Sequence, residues 1–227
     1  MWSISEIKSR GKDAFKANYL KSVIVAFILS LLTRSATTAS GQKTNSEEVK
    51  AQLLDLDPAI ISFLIGFLIT LCVVSLLLRI FLFNPLEVGG YAFFKRNVEE
   101  GDAPIGALLE GFKDYGHIFI TLLLRDIFLA LWTCLFVIPG IIKSYSYRMV
   151  PYIISDNPEL SATEVITKSR EMMNGNKWHA FLLDLSFIGW IILTVCTCGL
   201  VGIFWLNPYM ENTNAALYLE LSKNTIE

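Results

Sequence analysis

Long apolar segments alternate with short polar ones along the chain, and the longest have the length of membrane-spanning helices. Ala59–Leu78 contains no charged residue, and Leu185–Met210 is an uncharged run too long for one crossing. A helix needs about 20 mostly apolar residues to cross the hydrocarbon layer, because each residue rises about 1.5 Å. Glycines in the stretch Cys198–Gly202 divide the second run, which therefore predicts two helices.

The distribution of Lys and Arg extends this pattern to six spans. These residues cluster within 8–21, 79–113 and 168–177, and such clusters are retained on the cytoplasmic side. The chain must therefore cross twice between the second and third clusters, with a break at Pro139-Gly140, and both termini are expected in the cytoplasm. An outer loop is expected at 34–57. The six predicted spans are Tyr19–Thr33 with its flanking residues, Ala59–Leu78, His117–Val137, Ile141–Ile154, Trp178–Thr197 and Leu200–Leu219.

The fold class is therefore all-α, a polytopic transmembrane bundle in a single domain over residues 1–227. Three hairpin repeats are predicted at about 3–99, 102–158 and 161–221, each with a cytoplasmic amphipathic helix before an outgoing and a returning span. Apolar residues at helical spacing mark the amphipathic helices. They are Ile4, Ile7, Ala14 and Phe15; Ile105, Leu108, Leu109 and Phe112; and Ala162, Val165, Ile166, Met172 and Met173.

Capping and proline positions support the repeat. Capping boxes are predicted at Ser3 with Glu6 and at Ser161 with Glu164, where each Glu would accept from the backbone of its Ser. A proline in each returning span removes one backbone donor and is expected to kink the helix. These prolines are Pro85, Pro151 and Pro208.

Ionisable residues inside or beside the predicted spans are the candidate functional residues, since a charge in the bilayer needs a partner or a cavity. They are Glu87, Arg125, Asp126, Lys143, Arg148, Asp184 and Glu211. One interpretation is a polar cavity for a lipid headgroup or a charged solute, and the other is a set of ion pairs that fix the bundle. Arg125 and Asp126 point about 100° apart on a helix, so each is expected to need a partner on another helix.

Composition excludes several other classes of function. The chain is 53% hydrophobic and 18% charged with a net charge of −2, and no basic face suggests nucleic-acid binding. The four cysteines lie in apolar stretches and are interpreted as small packing residues, so no metal or other cofactor is expected. No phosphate loop, zinc motif or nucleophile elbow is present, which predicts a protein that is not an enzyme.

Several motifs resemble a known family of bacterial integral membrane proteins, catalogued as domain of unknown function nine-seven-five. The motifs are Ile138–Tyr145, Pro151-Tyr152, Asp156-Asn157-Pro158, Ser161-Ala162, Lys168–Met173, Phe187–Trp190, and Pro208-Tyr209 with Thr213, Ala215, Ala216 and Tyr218. The resemblance implies a bacterial plasma-membrane protein but brings no activity or site residue. More distantly, the architecture is similar to the membrane portion of some glycerophosphodiester phosphodiesterases, which implies a lipid-associated or partner-supporting role.

Together these features predict a noncatalytic plasma-membrane protein that binds membrane lipid or a membrane-protein partner. A small-molecule transporter or an export accessory component is the alternative, because proline-broken helices and charges near the midplane also occur in carriers. The sequence does not determine the oligomeric state.

Overall fold

A computed structural model describes residues 2–34 and 57–223, and this part of the chain is helical without any strand. The predicted outer loop, 34–57, lies almost entirely outside the described residues. One cluster of buried side chains runs from Ile7 to Leu221. The α-helices are α1 Ile4–Ala17, α2 Tyr19–Arg34, α3 Pro58–Leu78, α4 Asn84–Glu100, α5 Tyr115–Leu135, α6 Val137–Ser146, α7 Val150–Asp156, α8 Ala162–Met172, α9 Lys177–Leu185, α10 Ile188–Cys196 and α11 Asn207–Lys223.

The prediction of six spans is wrong for the described residues. Two helical segments, Tyr115–Leu135 and Lys177–Cys196, are long and apolar enough to cross a membrane. A third is added if Ile4–Ala17 and Tyr19–Leu31, which meet at 107°, form one bent span; Ala59–Ser75 is a shorter apolar segment of α3. The sequence pattern overestimated the number of membrane-spanning helices, because breaks in the backbone divide several apolar stretches into short helices.

The predicted fourth span shows this effect most clearly. Instead of one helix over Ile141–Ile154, the chain forms α6 and α7, which are separated by a turn at 147–149. A 10-residue helix such as α6 is only about 15 Å long, half of the hydrocarbon thickness. The predicted break at Pro139-Gly140 is also displaced: α5 ends before the extended residue Phe136, and Pro139 lies in the first turn of α6, where its missing N–H leaves no helical bond unmade.

Each of the three prolines lies in the first turn of an α-helix, and two of these helices directly continue a π-helical turn. Pro85, Pro151 and Pro208 are the second residues of α4, α7 and α11. Short π-helical turns, Arg79–Phe83 and Gly202–Leu206, come directly before α4 and α11. Proline is compatible with the first turn of a helix, and a bend of the chain at these three positions stays a prediction. The threefold repeat and the single domain stay predictions.

The first amphipathic helix forms as expected and packs on α11. Ile7, Ala14 and Phe15 are buried, and Ile4 is half-buried. The capping box predicted at Ser3 does not form, since its side chain makes no capping hydrogen bond.

The second amphipathic segment is a 3₁₀-helix, Ile105–Phe112, rather than an α-helix. Of its predicted apolar face only Leu108 is buried, together with Ala107 and Gly111. This helix packs on α4 so closely that a Cβ atom on Gly111 would clash with the carbonyl oxygen of Pro85. The close backbone approach, which the hydrophobic spacing does not encode, decides which face is buried.

The third amphipathic helix, α8, confirms the sequence pattern. Val165, Ile166 and Met172 are buried, and Met173 is buried directly after the helix. The capping box predicted at Ser161 forms: its backbone N–H donates to Glu164 Oε2 at 2.7 Å.

A buried amide cluster joins the bend between α1 and α2 to the central helices α4 and α11. The side-chain amide of Asn97 donates to Asn212 Oδ1 at 2.7 Å and to the Ala14 carbonyl at 3.0 Å. Asn18, at the bend, donates to Asn97 Oδ1 at 3.0 Å. Buried amides stay favourable only when they are hydrogen-bonded, so this cluster fixes the relative positions of the four helices.

Candidate functional site

A cavity of about 320 Å³ lies between the start of α4, the middle of α5 and the α6–α7 turn. The ionisable residues that line it are Glu87, Arg125, Asp126 and Arg148. Phe83 and Leu129 supply apolar lining, while Asn84, Tyr91 and Ser144 add polar groups. We call this space the central cavity. Four of the seven residues singled out in the sequence therefore meet around one space.

Arg125 is held by two carboxylates at the edge of the central cavity. Its Nη1 donates to Glu87 Oε1 at 3.1 Å, and its Nε donates to Asp126 Oδ1 at 2.9 Å. The expectation that Arg125 has a partner on another helix is confirmed by Glu87 on α4, whereas the expectation that Arg125 and Asp126 would not neutralise each other was wrong. The arginine side chain is long enough to fold back along the helix surface, so the angle between the two Cα–Cβ bonds does not keep their charged ends apart.

Arg148 is held in a second, bidentate ion pair. Nη1 and Nη2 donate to the two carboxylate oxygens of Asp184 at 2.9 and 2.8 Å, and Nη2 also donates to Asn214 Oδ1 at 2.6 Å. The hydroxyl of Tyr145 donates to Asp184 Oδ2 at 2.9 Å. This network ties the α6–α7 turn to α9 and α11, and it leaves the arginine at the cavity wall in one fixed orientation.

Glu211 lies behind the central cavity, on α11, rather than in its lining. Its Oε2 atom is shielded from solvent and makes no hydrogen bond within the described part of the chain. The carboxyl group is attracted by Arg148 and bonded to Asn214. Glu211 is thus coupled to the ion pair of Arg148 and Asp184 but does not face the cavity.

Lys143 is not part of this group. Its ammonium lies 4.7 Å from the ring centroid of Trp132, in a cation–π contact, and it lines a different cavity on the other side of α6.

Two residues with clear roles were missed in the sequence. Asn214 bonds Arg148, and Tyr91 lines the central cavity while its ring lies 4.8 Å from that of Tyr152. Asn214 is three residues after Glu211 and therefore shares its helical face, which is a spacing that could have identified it. No local signal marks Tyr91, because its position depends on how α4 meets α7.

Comparison with known protein families gives one match. Residues 134–225 match the family model described as "Protein of unknown function (DUF975)". This is the family that the motifs predicted. No curated protein and no solved structure matches the chain, so the more distant resemblance to glycerophosphodiester phosphodiesterases has no support.

The DUF975 match covers only part of the candidate site. Arg148, Asp184 and Glu211 lie within the matched region, whereas Glu87 and Arg125 lie before it. The description of DUF975 assigns no activity, so the match does not indicate what the central cavity binds.

Proposed function

We propose that this chain is a noncatalytic bacterial plasma-membrane protein that binds membrane lipid, with the headgroup of the lipid in the central cavity. In this proposal both termini lie in the cytoplasm, because basic residues near the N-terminus favour that side. The observation that carries the proposal is the composition of the cavity lining. The ion-paired Arg125 and Asp126, in the middle of the apolar helix α5, lie beside the apolar side chains of Phe83 and Leu129.

The surface around the cavity suits the apolar part of a lipid. Trp132, on the same face of α5 as Arg125 and Leu129, and Leu82, next to the lining residue Phe83, are exposed large hydrophobic side chains. Exposed apolar surface of this kind is favourable against acyl chains and unfavourable against water. A headgroup could therefore occupy the central cavity while its chains remain on the faces of α5 and the π-helical turn.

The charges of the cavity favour a headgroup without net negative charge. Both guanidinium groups already bind carboxylates, so a phosphate alone would have to replace Glu87, Asp126 or Asp184. Three carboxylates face two arginines in these pairs. A zwitterionic headgroup, whose ammonium compensates the excess carboxylate, matches this balance better than an anionic one.

The proposal is tested by filling the cavity without breaking its ion pairs. Ser144 lines the cavity, and its hydroxyl donates to the carbonyl of Ile141 in its own helix. Ser144→Phe is expected to abolish retention of phosphatidylethanolamine by the purified protein, measured by native mass spectrometry from nanodiscs.

Ser75→Phe is the matched control, since Ser75 is exposed and makes the same kind of bond to Cys72. Equal lipid retention by the wild type and by both variants would contradict the proposal. A co-purifying protein in place of lipid would favour the membrane-protein partner instead.

A transporter is the second candidate, favoured by one observation. The π-helical turn Arg79–Phe83 and the Asn84-Pro85 helix start lie at the cavity, and carriers often place discontinuous helices at their binding sites. Uptake of labelled ethanolamine into proteoliposomes tests this role. Uptake that is unchanged by Arg125→Ala and Arg148→Ala would remove the support that these residues give it.

A further inference from the structure

A second, separate polar space lies on the other side of α6. It is a cavity of about 280 Å³ between α6, α8 and the start of α9. Three cationic side chains line it: Lys143, Arg170 and Lys177. We call these residues and their cavity the basic pocket. Thr167 and Asn174 add polar groups, and Glu171 is the acidic residue of the lining.

The cations of the basic pocket are not neutralised by the described residues. No ion pair joins Lys143, Arg170 or Lys177 to a carboxylate in residues 2–34 or 57–223, although other basic residues of this region are paired. Arg170 and Lys177 instead repel the ammonium of Lys143. Three cations against the single carboxylate of Glu171 leave an excess of two positive charges, which an anion would relieve.

An apolar groove adjoins the basic pocket, and Lys177 lines both. The groove has a volume of about 350 Å³ and is formed by Ile141, Ile142, Trp178 and Phe181 together with Tyr145. Trp178 is 65% exposed, and its ring stacks on that of Phe181 with 5.2 Å between the ring centroids. Tryptophan is enriched at the level of lipid headgroups, so this groove has the composition of an interfacial acyl-chain site.

We infer that the basic pocket and this groove together bind one anionic phospholipid, with its phosphate among Lys143, Arg170 and Lys177 and an acyl chain along Trp178 and Phe181. Charge complementarity in the basic pocket and apolar area directly beside it in the groove support this assignment. Basic pockets beside membrane helices recognise anionic headgroups in this way. A small phosphate compound from water would leave the groove empty.

This inference deepens the proposed lipid-binding function, on which it rests, but it uses a different site and a different lipid class. Two arginines at the central cavity are paired with three carboxylates, Glu87, Asp126 and Asp184, whereas the cations of the basic pocket have no carboxylate partner among the described residues. The two sites are therefore expected to separate zwitterionic from anionic lipids, and the two can be disrupted independently.

The test is a titration of the full-length protein in detergent with dioctanoyl phosphatidylglycerol, followed by native mass spectrometry. Replacing all three pocket cations by glutamine (Lys143→Gln, Arg170→Gln, Lys177→Gln) is expected to weaken binding about 100-fold, at about fivefold per basic residue. The matched control makes the same charge change at three exposed lysines and should bind as the wild type does. Its residues are Lys12, Lys16 and Lys113.

Two further variants keep the test decisive if the triple variant fails to fold. Arg170 is exposed, so Arg170→Gln alone should fold and bind phosphatidylglycerol about fivefold more weakly. Trp178→Ala should weaken binding of the lipid but leave any binding of soluble glycerol phosphate unchanged.

Three outcomes would overturn the inference. If the pocket variant and the control variant weaken phosphatidylglycerol binding equally, the attraction is nonspecific. If glycerol phosphate binds as tightly as the lipid, the pocket is a site for soluble phosphate. If Trp178→Ala has no effect on lipid binding, the groove does not hold an acyl chain. If phosphatidylethanolamine is retained in a manner sensitive to Ser144→Phe while phosphatidylglycerol is not bound, only this inference fails. If the wild type retains neither lipid, the proposed function fails as well.

Discussion

The ion pair between Arg148 and Asp184 is expected to contribute strongly to the stability of the bundle. Its two hydrogen bonds are 2.9 and 2.8 Å long, and the side chains are 18% and 30% exposed. Arg148→Met removes the guanidinium at nearly constant length and leaves Asp184 with the Tyr145 hydroxyl. Loss of one partner from a largely shielded pair costs about 3–5 kcal/mol, and partial exposure places the expected loss near the lower end.

A double-mutant cycle with Asp184→Asn isolates the pairwise term. Charge-assisted hydrogen bonds of this kind contribute about 1.5–3 kcal/mol, so we expect a coupling free energy of about 2–3 kcal/mol. The assay is reversible unfolding in mixed micelles by titration with a denaturing detergent, followed by tryptophan fluorescence.

The chain offers a control pair of the same geometry. Arg96 and Glu110 are also bidentate, at 3.1 Å for each bond, but both side chains are 32% exposed and join the outer 3₁₀-helix to α4. Arg96→Met with Glu110→Gln should give a coupling of about 0.5–1 kcal/mol, as is usual for solvated pairs. A coupling at Arg148–Asp184 no larger than this would refute the reasoning.

Three further predictions use the same unfolding assay. Gly111→Ala should destabilise the protein by about 1–3 kcal/mol, because its Cβ would clash with the α4 backbone, whereas Gly106→Ala in the same 3₁₀-helix meets nothing and should change little. Asn97→Ala should lower the free energy of unfolding by about 1–3 kcal/mol for each buried polar group that loses its hydrogen bond. Hydrogen bonds from Ser161 lower the pKa of Glu164 in the folded protein. The stability that the ionised Glu164 contributes is therefore complete above the ordinary Glu pKa of about 4.3 and is lost as pH falls through the lower folded value. The difference in melting temperature between the wild type and Glu164→Gln should accordingly disappear at acidic pH.

The two lipid proposals assign opposite roles to similar residue types. Arg125 and Arg148 are held by carboxylates and shape a cavity, whereas Arg170 and Lys177 have no such partners in residues 2–34 and 57–223 and, in the second proposal, bind the phosphate of a lipid. The distinction depends on which carboxylates lie within reach. Composition alone could not make it, because both groups contain the same kinds of side chain.

Local pattern was sufficient for the helical class, for the apolar character of α3 and α5, and for two of the three amphipathic helices. Hydrophobic spacing at Val165, Ile166 and Met172 identified the buried face of α8, because that face packs as a regular α-helix against its neighbours. The capping box at Ser161 is likewise a contact within four residues. The DUF975 motifs also lie in continuous stretches of the chain, and that resemblance is confirmed for residues 134–225.

Contacts between distant segments decided the rest. The chain breaks at 147–149, so the stretch predicted as the fourth span forms two shorter helices. The partners of Arg148, namely Asp184 and Asn214, are 36 and 66 residues away. The sequence could identify charges that need partners, because the cost of burying a charge is a property of the residue. Only the packing of the helices could determine which carboxylate meets which cation, and which cations are left for a ligand.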